Sequence, residues 1–133
     1  MPHYLTIQSS WYKIVSGKGD NTNTQFKKGV LELIVLYTVS KKDRYGYELV
    51  EEVSRVVDVN EGTIYPLLRR LTNERYFDTY IIESSEGPPR KYYRMTSLGE
   101  ERKKELKAQW SSFERSVNQF IKRSEKDDQK TVS

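Results

Sequence analysis

One stretch limits what this chain can fold into more than any other: residues 25–40. Phe26, Val30, Leu33 and Tyr37 recur at spacings of four, three and four, which is one face of a helix. Leu31, Ile34, Val35 and Leu36 fill most of the remaining circumference. A helix that is apolar on nearly every side must be covered on nearly every side. With 133 residues the chain has room for one modest core. Such a domain can hardly bury this helix alone, so a second subunit is expected to complete its cover.

The segments around that helix have distinct characters. Residues 1–24 read as a flexible N-terminal extension. Within them Ser16–Thr24 is small, polar or charged with two glycines, and Trp11, Tyr12, Ile14 and Val15 form a short apolar patch. After the charged connector Lys41–Arg44, a second helix is expected over about 45–57, with Leu49, Val53 and Val56 on its core stripe. Asn60 is a candidate cap for a third helix that runs to about Arg75. Its core stripe is Ile64, Leu67, Leu68 and Leu71. Pro66 places the start of that helix nearer Gly62, or bends it.

Residues 77–96 change period. Phe77–Glu83 and Lys91–Thr96 are rich in Tyr and Ile, and Ser84–Pro89 between them is a strong turn signal. A β-hairpin with a basic exit at Arg90 and Lys91 is expected. Residues 97–123 form a long last helix, capped by Thr96 or Ser97 with Glu100 as its capping-box partner. Leu106, Trp110, Phe113, Val117 and Phe120 repeat at four, three, four and three, a heptad seam suited to dimerisation. Residues 124–133 are charged and polar and are expected to fray. The fold class is thus mainly α with a small hairpin.

Several function classes find no footing in these residues. Cysteine is absent, and His3 is the single histidine. Disulfides, thiolate metal sites, a Cys nucleophile and a His-based triad are thereby excluded or nearly so. No apolar run reaches the roughly 18 residues of a membrane span, and no secretory signal is expected. Adjacent acids such as Glu51-Glu52, Glu100-Glu101 and Asp127-Asp128 do not share a helix face, so they read as solvation. No phosphate-cradling glycine loop is present. No enzyme activity, metal or cofactor is expected.

Three helices, a hairpin and a long helix form the order of a winged helix-turn-helix, residues 25–96, followed by a dimerisation helix. The third helix then reads a DNA groove. Its outer face carries Thr63, Tyr65, Arg69 and Arg70, and Gly62 allows close approach. Arg90 and Lys91 are expected on the same side as a wing. Residues 25–96 hold 12 basic and 11 acidic side chains, so DNA binding must rest on local placement. The plainer reading of Arg69 and Arg70 is a solvated face paired with acids.

Residues 26–96 resemble the PadR family of bacterial transcriptional regulators. The resemblance is carried by Leu31-Glu32-Leu33, by Tyr45-Gly46-Tyr47-Glu48-Leu49 and by Gly62-Thr63-Ile64-Tyr65-Pro66-Leu67-Leu68-Arg69-Arg70-Leu71. It continues through Gly87-Pro88-Pro89-Arg90-Lys91-Tyr92-Tyr93-Arg94, Thr96 and Gly99. It implies a cytoplasmic homodimeric repressor on a pseudo-palindromic operator in double-stranded DNA, released by a small, often planar aromatic effector. It adds Tyr45 and Tyr92 as phosphate ligands. It implies an effector site at Trp110, walled by Phe113, Phe26 and Val30 with Glu114 at the rim. The dimer interface would hold Phe26, Val30, Leu33, Leu106, Trp110, Phe113, Val117 and Phe120. The competing reading is a dimeric winged-helix interaction module without sequence-specific DNA binding; RNA binding is poorer, for want of an exposed stacking sheet.

Overall fold

The computed structural model describes residues 20–132, and side chains over residues 30–130. Trp11, Tyr12 and the rest of the expected N-terminal patch lie outside the described residues. Helix α1 spans Asp20–Lys41, strand β1 Arg44–Tyr45, and helices α2 and α3 Gly46–Ser54 and Glu61–Asn73. Strands β2 and β3 span Phe77–Ser84 and Gly87–Met95, and helix α4 spans Ser97–Val132. Architecture and element order are those of a winged helix with a long C-terminal helix.

The core is one cluster contributed by every element but β1 and α4. Leu31, Val35, Leu36 and Val39 of α1 meet Leu49 and Val53 of α2 and Ile64, Leu68 and Leu71 of α3. Phe77 and Tyr93 close it from the sheet, with rings 6.1 Å apart and edge to face. Val30, Leu33 and Tyr37 of the expected α1 stripe lie on its other face and are half-buried. Val56, expected in the core, is 66% exposed. Helix α2 stops at Ser54, and the chain turns before the helical period can bring Val56 inward.

Three boundaries differ from expectation. Helix α1 begins at Asp20 rather than near residue 25. None of residues 20–24 is glycine or proline, and an aspartate suits a helix N-terminus. Helix α4 continues through the segment expected to fray. That tail lacks an apolar stripe, but it also lacks glycine and proline, and Glu125, Lys126, Gln129 and Lys130 are good helix formers. The connector Lys41–Arg44 contributes half of a third strand, giving the sheet order β1-β3-β2.

The hairpin turn is shorter than its composition indicates. Strand β3 already begins at Gly87 and includes both prolines. Register slips between Ile82, paired with Arg90, and Ser84, paired with Gly87. Pro88 and Pro89 therefore oppose the single residue Glu83, as in a β-bulge, where a missing N–H does no harm.

Two caps fix the end of α3 and the start of α4. Helix α3 ends in a Schellman motif: Tyr76 N–H donates to the Leu71 carbonyl and Arg75 N–H to that of Thr72, each at 3.0 Å. Arg75 takes the left-handed position, with φ 68°. Thr96, not Ser97, caps α4. Its hydroxyl accepts from Gly99 N–H at 3.0 Å and donates to the Arg75 carbonyl at 2.7 Å. The third residue of α4 is therefore Gly99, and the capping box expected from Glu100 does not form.

Candidate nucleic-acid interface

Strand alternation divides the wing into two faces, and each gathers a different set of side chains. On the outer face Tyr45, Tyr92 and Tyr80 stand in register across β1, β3 and β2. The Tyr80 and Tyr92 rings stack at 5.4 Å, and Tyr45 tilts against Tyr92 at 5.6 Å. Arg90 lies over the Tyr45 ring at 4.6 Å, and Arg94 over the Tyr80 ring at 5.5 Å. The row is therefore three aromatics with a guanidinium at each end.

The opposite face turns toward α3. Lys91 reaches over Tyr93, its Nζ 5.9 Å from the ring centroid. Burial raises the Tyr93 phenol above its ordinary pKa; the neighbouring Tyr65 adds to this and Arg69 opposes it. Tyr65, Arg69, Lys91 and Tyr93 thus share one electrostatic neighbourhood between α3 and the wing. Arg90 and Lys91, expected on one side, point to opposite faces because adjacent strand residues must.

The start of α2 links the two faces. Glu48 accepts a hydrogen bond from the Tyr45 backbone N–H at 3.3 Å, which ties the helix start to the strand before it. A Cβ on Gly46 would stand 2.7 Å from Cε1 of Tyr65. Glycine lets the Tyr65 ring lie directly against the α2 backbone. Asn60 precedes α3 in an extended conformation, and its backbone carbonyl accepts from Thr63 N–H at 3.1 Å. Gly62 is exposed, and Thr63 is half-buried beside Asn60.

Arg69 and Arg70, adjacent in sequence, have different surroundings. Arg69 is exposed on the wing side. Arg70 donates to Glu32 at 3.0 Å and to both oxygens of Glu74 at 3.2 Å, the plainer of the two readings considered for it. Sequence reasoning missed Tyr80, Asp43 and Arg94. Tyr80 donates to Asp43 at 2.6 Å across a separation of 37 residues, which local pattern cannot signal.

The model of the transcriptional regulator PadR-like family matches residues 35–105. The chain belongs to the PadR-like family of transcriptional regulators. A PadR-like transcriptional regulator from Bacillus cereus is 40% identical, with a TM-score of 0.66 over 73% of this chain and 96% of that one. A PadR family regulator from Eggerthella lenta is 28% identical, with a TM-score of 0.70 over 85% of this chain and 96% of that one. An uncharacterised protein of Lysinibacillus sphaericus is 35% identical over 98 residues, 71% of this chain and 90% of the relative.

In this PadR-like chain the described contacts of α4 with α1 lie in its first turns. Arg102 donates to Glu32 at 3.1 Å, Lys103 to Ser40 at 2.8 Å, and Leu106 packs against the core. Farther along, Trp110, Phe113, Val117, Phe120 and Ile121 are exposed, Phe113 by 64% and Phe120 by 68%. A groove of about 500 Å³ opens between α1, α2 and α4. Leu33, Ile34, Tyr37 and Trp110 form its apolar wall, with Arg44, Lys107, Glu52 and Glu114 among its polar groups. Trp110 and Glu114 both line this groove. Phe113 and Val30 are not on the groove wall, although the Phe113 ring is 6.5 Å from that of Trp110. The Phe26 side chain lies outside the described ones. Among the described residues, no helix of this PadR-like regulator is long and apolar enough to cross a membrane.

Proposed function

We propose that this chain is a DNA-binding repressor that acts as a homodimer on a pseudo-palindromic operator. One observation supports the reading: basic and phenolic side chains gather on both faces of the wing, Tyr45, Arg90 and Tyr92 on the outer face, and Lys91 and Tyr93 with Tyr65 and Arg69 of α3 on the other. Arginines and phenols are the groups that grip guanine edges and phosphates. With little net charge on the domain, such local grouping is what binding requires. Gly62 and Thr63 at the start of α3 complete the surface, and Arg70 serves the fold through Glu32.

The exposed seam on α4 supports dimerisation, since a monomer gains nothing from Phe113 and Phe120 in water. A small aromatic effector fits the groove at Trp110. By bridging α1 and α4 it would change the separation of the two recognition helices from the one DNA turn, about 34–36 Å, that binding needs. Linkage then makes DNA weaken effector binding by the same factor.

The test is fluorescence anisotropy against promoter DNA at two salt concentrations, beside Arg69→Ala. Tight binding that falls with salt and is lost in the variant supports the reading. Binding no better than to random DNA, together with a dimer in solution, favours the interaction module instead.

A further inference from the structure

The Glu32 carboxylate lies where three helices meet. Its Oε2 accepts from Nη2 of Arg70 at 3.0 Å, and its Oε1 accepts from Nε of Arg102 at 3.1 Å. Glu32 belongs to α1, Arg70 to the last turn of the recognition helix α3, and Arg102 to the start of α4. The Glu32 side chain is only 12% exposed. Each arginine also has an acid on its outer side: Glu74 at 3.2 Å from Arg70, and Glu105 at 3.5 Å from Arg102. The five side chains alternate in sign from Glu74 to Glu105. Neutralising the middle one leaves two guanidinium groups facing each other with no negative charge between them, each keeping only its outer acid.

The tie matters because α3 and α4 share little backbone contact of their own. Helix α3 is held by α2 and β2, and α4 by α1. Among the described residues, Glu32 is the side chain that hydrogen-bonds to both. Both of its bonds are charge-assisted, and each uses a different carboxylate oxygen, so the geometry is specific as well as strong.

We propose that Glu32 is a positioning residue that fixes the angle between the recognition helix and the last helix, and thereby the operator half-site spacing that the dimer accepts. This rests on the DNA-binding homodimer reading above. In a two-fold dimer joined along α4, the distance between the two α3 helices depends on the seam and on this angle in each subunit. One added base pair shifts a half-site by about 3.4 Å and a tenth of a turn. A rigid tie makes that shift costly, and a loosened tie makes it cheap.

The test uses the full chain and a two-half-site duplex selected from random DNA by the wild-type protein. Its companions are the same duplex with one base pair inserted between the half-sites, and a duplex with one half-site only. For the wild type, the insertion should weaken binding by about tenfold or more, the scale of a lost specific contact. In Glu32→Gln the affinity for the selected duplex should fall about tenfold. The insertion should then cost less than about threefold, with half-site binding little changed. Arg102→Gln severs only the arm to α4, at a more exposed residue, and should relax the spacing in the same way even if Glu32→Gln folds poorly. Should a folded variant lose affinity for all three duplexes by one common factor, or lose none, Glu32 stabilises the domain without setting the spacing, and the proposal is overturned. A wild type that selects no two-half-site sequence overturns the operator reading itself, and this inference with it.

Discussion

The phenol of Tyr80, on the outer strand of the wing, donates a 2.6 Å hydrogen bond to the carboxylate of Asp43, in the connector after α1. The bond anchors the tyrosine row to the body of the domain. Tyr80→Phe keeps the stack on Tyr92 and removes only this anchor. The expected outcome is DNA affinity weaker by roughly threefold to tenfold, with the melting temperature little changed. Asp43→Asn keeps an acceptor oxygen and should lose less. Anisotropy titrations beside thermal melts check both.

Four tyrosines give the fold a pH dependence on the alkaline side. Burial raises the Tyr93 phenol, burial and Glu61 raise that of Tyr65, the hydrogen bond to Asp43 leads for Tyr80, and the charge of Glu51 leads for Tyr47. A group whose pKa is higher folded than unfolded stabilises fully below its unfolded value, about 10 for tyrosine, and loses that contribution as pH rises through the folded value. Stability owed to these groups should stay level up to about pH 10 and fall above it. Tyrosinate absorbance followed beside unfolding midpoints checks this. Tyr93→Phe should flatten part of the fall.

Gly46 and Gly99 predict opposite kinds of damage. A Cβ on Gly99 would collide with the Tyr76 backbone carbonyl and with the Met95 sulfur. Backbone cannot swing away, so Gly99→Ala should cost about 1–3 kcal/mol in urea unfolding. A Cβ on Gly46 meets only the edge of the Tyr65 ring, which can turn aside. Gly46→Ala should therefore change stability little and weaken DNA binding by moving Tyr65.

Arg75 holds a left-handed conformation where a helix of this type usually ends in glycine. Relief of that strain, partly offset by the greater freedom of glycine in the unfolded chain, should make Arg75→Gly more stable by about 1 kcal/mol. The melting midpoint should rise by a few degrees, without a change in DNA affinity.

Helix period and turn chemistry made most of this architecture readable. The stripe Ile64, Leu68, Leu71 repeats clearly enough to place α3, and the shift to Tyr and Ile marks the hairpin. Strand β1 was hidden because two residues cannot display a period, and it exists only through pairing with Tyr92 and Tyr93. The end of α4 was hidden for a different reason: helix propensity without an apolar stripe resembles a solvated tail. At the interface, residue types were legible and their sides were not. Arg90 and Lys91 looked like one basic patch until strand alternation separated them. Arg69 and Arg70 looked alike until Glu32, 38 residues from Arg70, claimed one of them. Contacts at such range depend on the packed fold and leave no trace in local composition.

The last helix works as a lever. Its 36 residues span about 54 Å, and among the described residues its clamps to the domain lie in the first turns, from the Thr96 cap and Gly99 to Arg102 and Leu106. A tilt of one degree at its root displaces the far end by about 1 Å. Whatever meets Phe120 is therefore aligned by atoms it never touches, at Thr96 and Gly99. Sequence drift at those two positions would misalign an assembly more than equal drift along the seam.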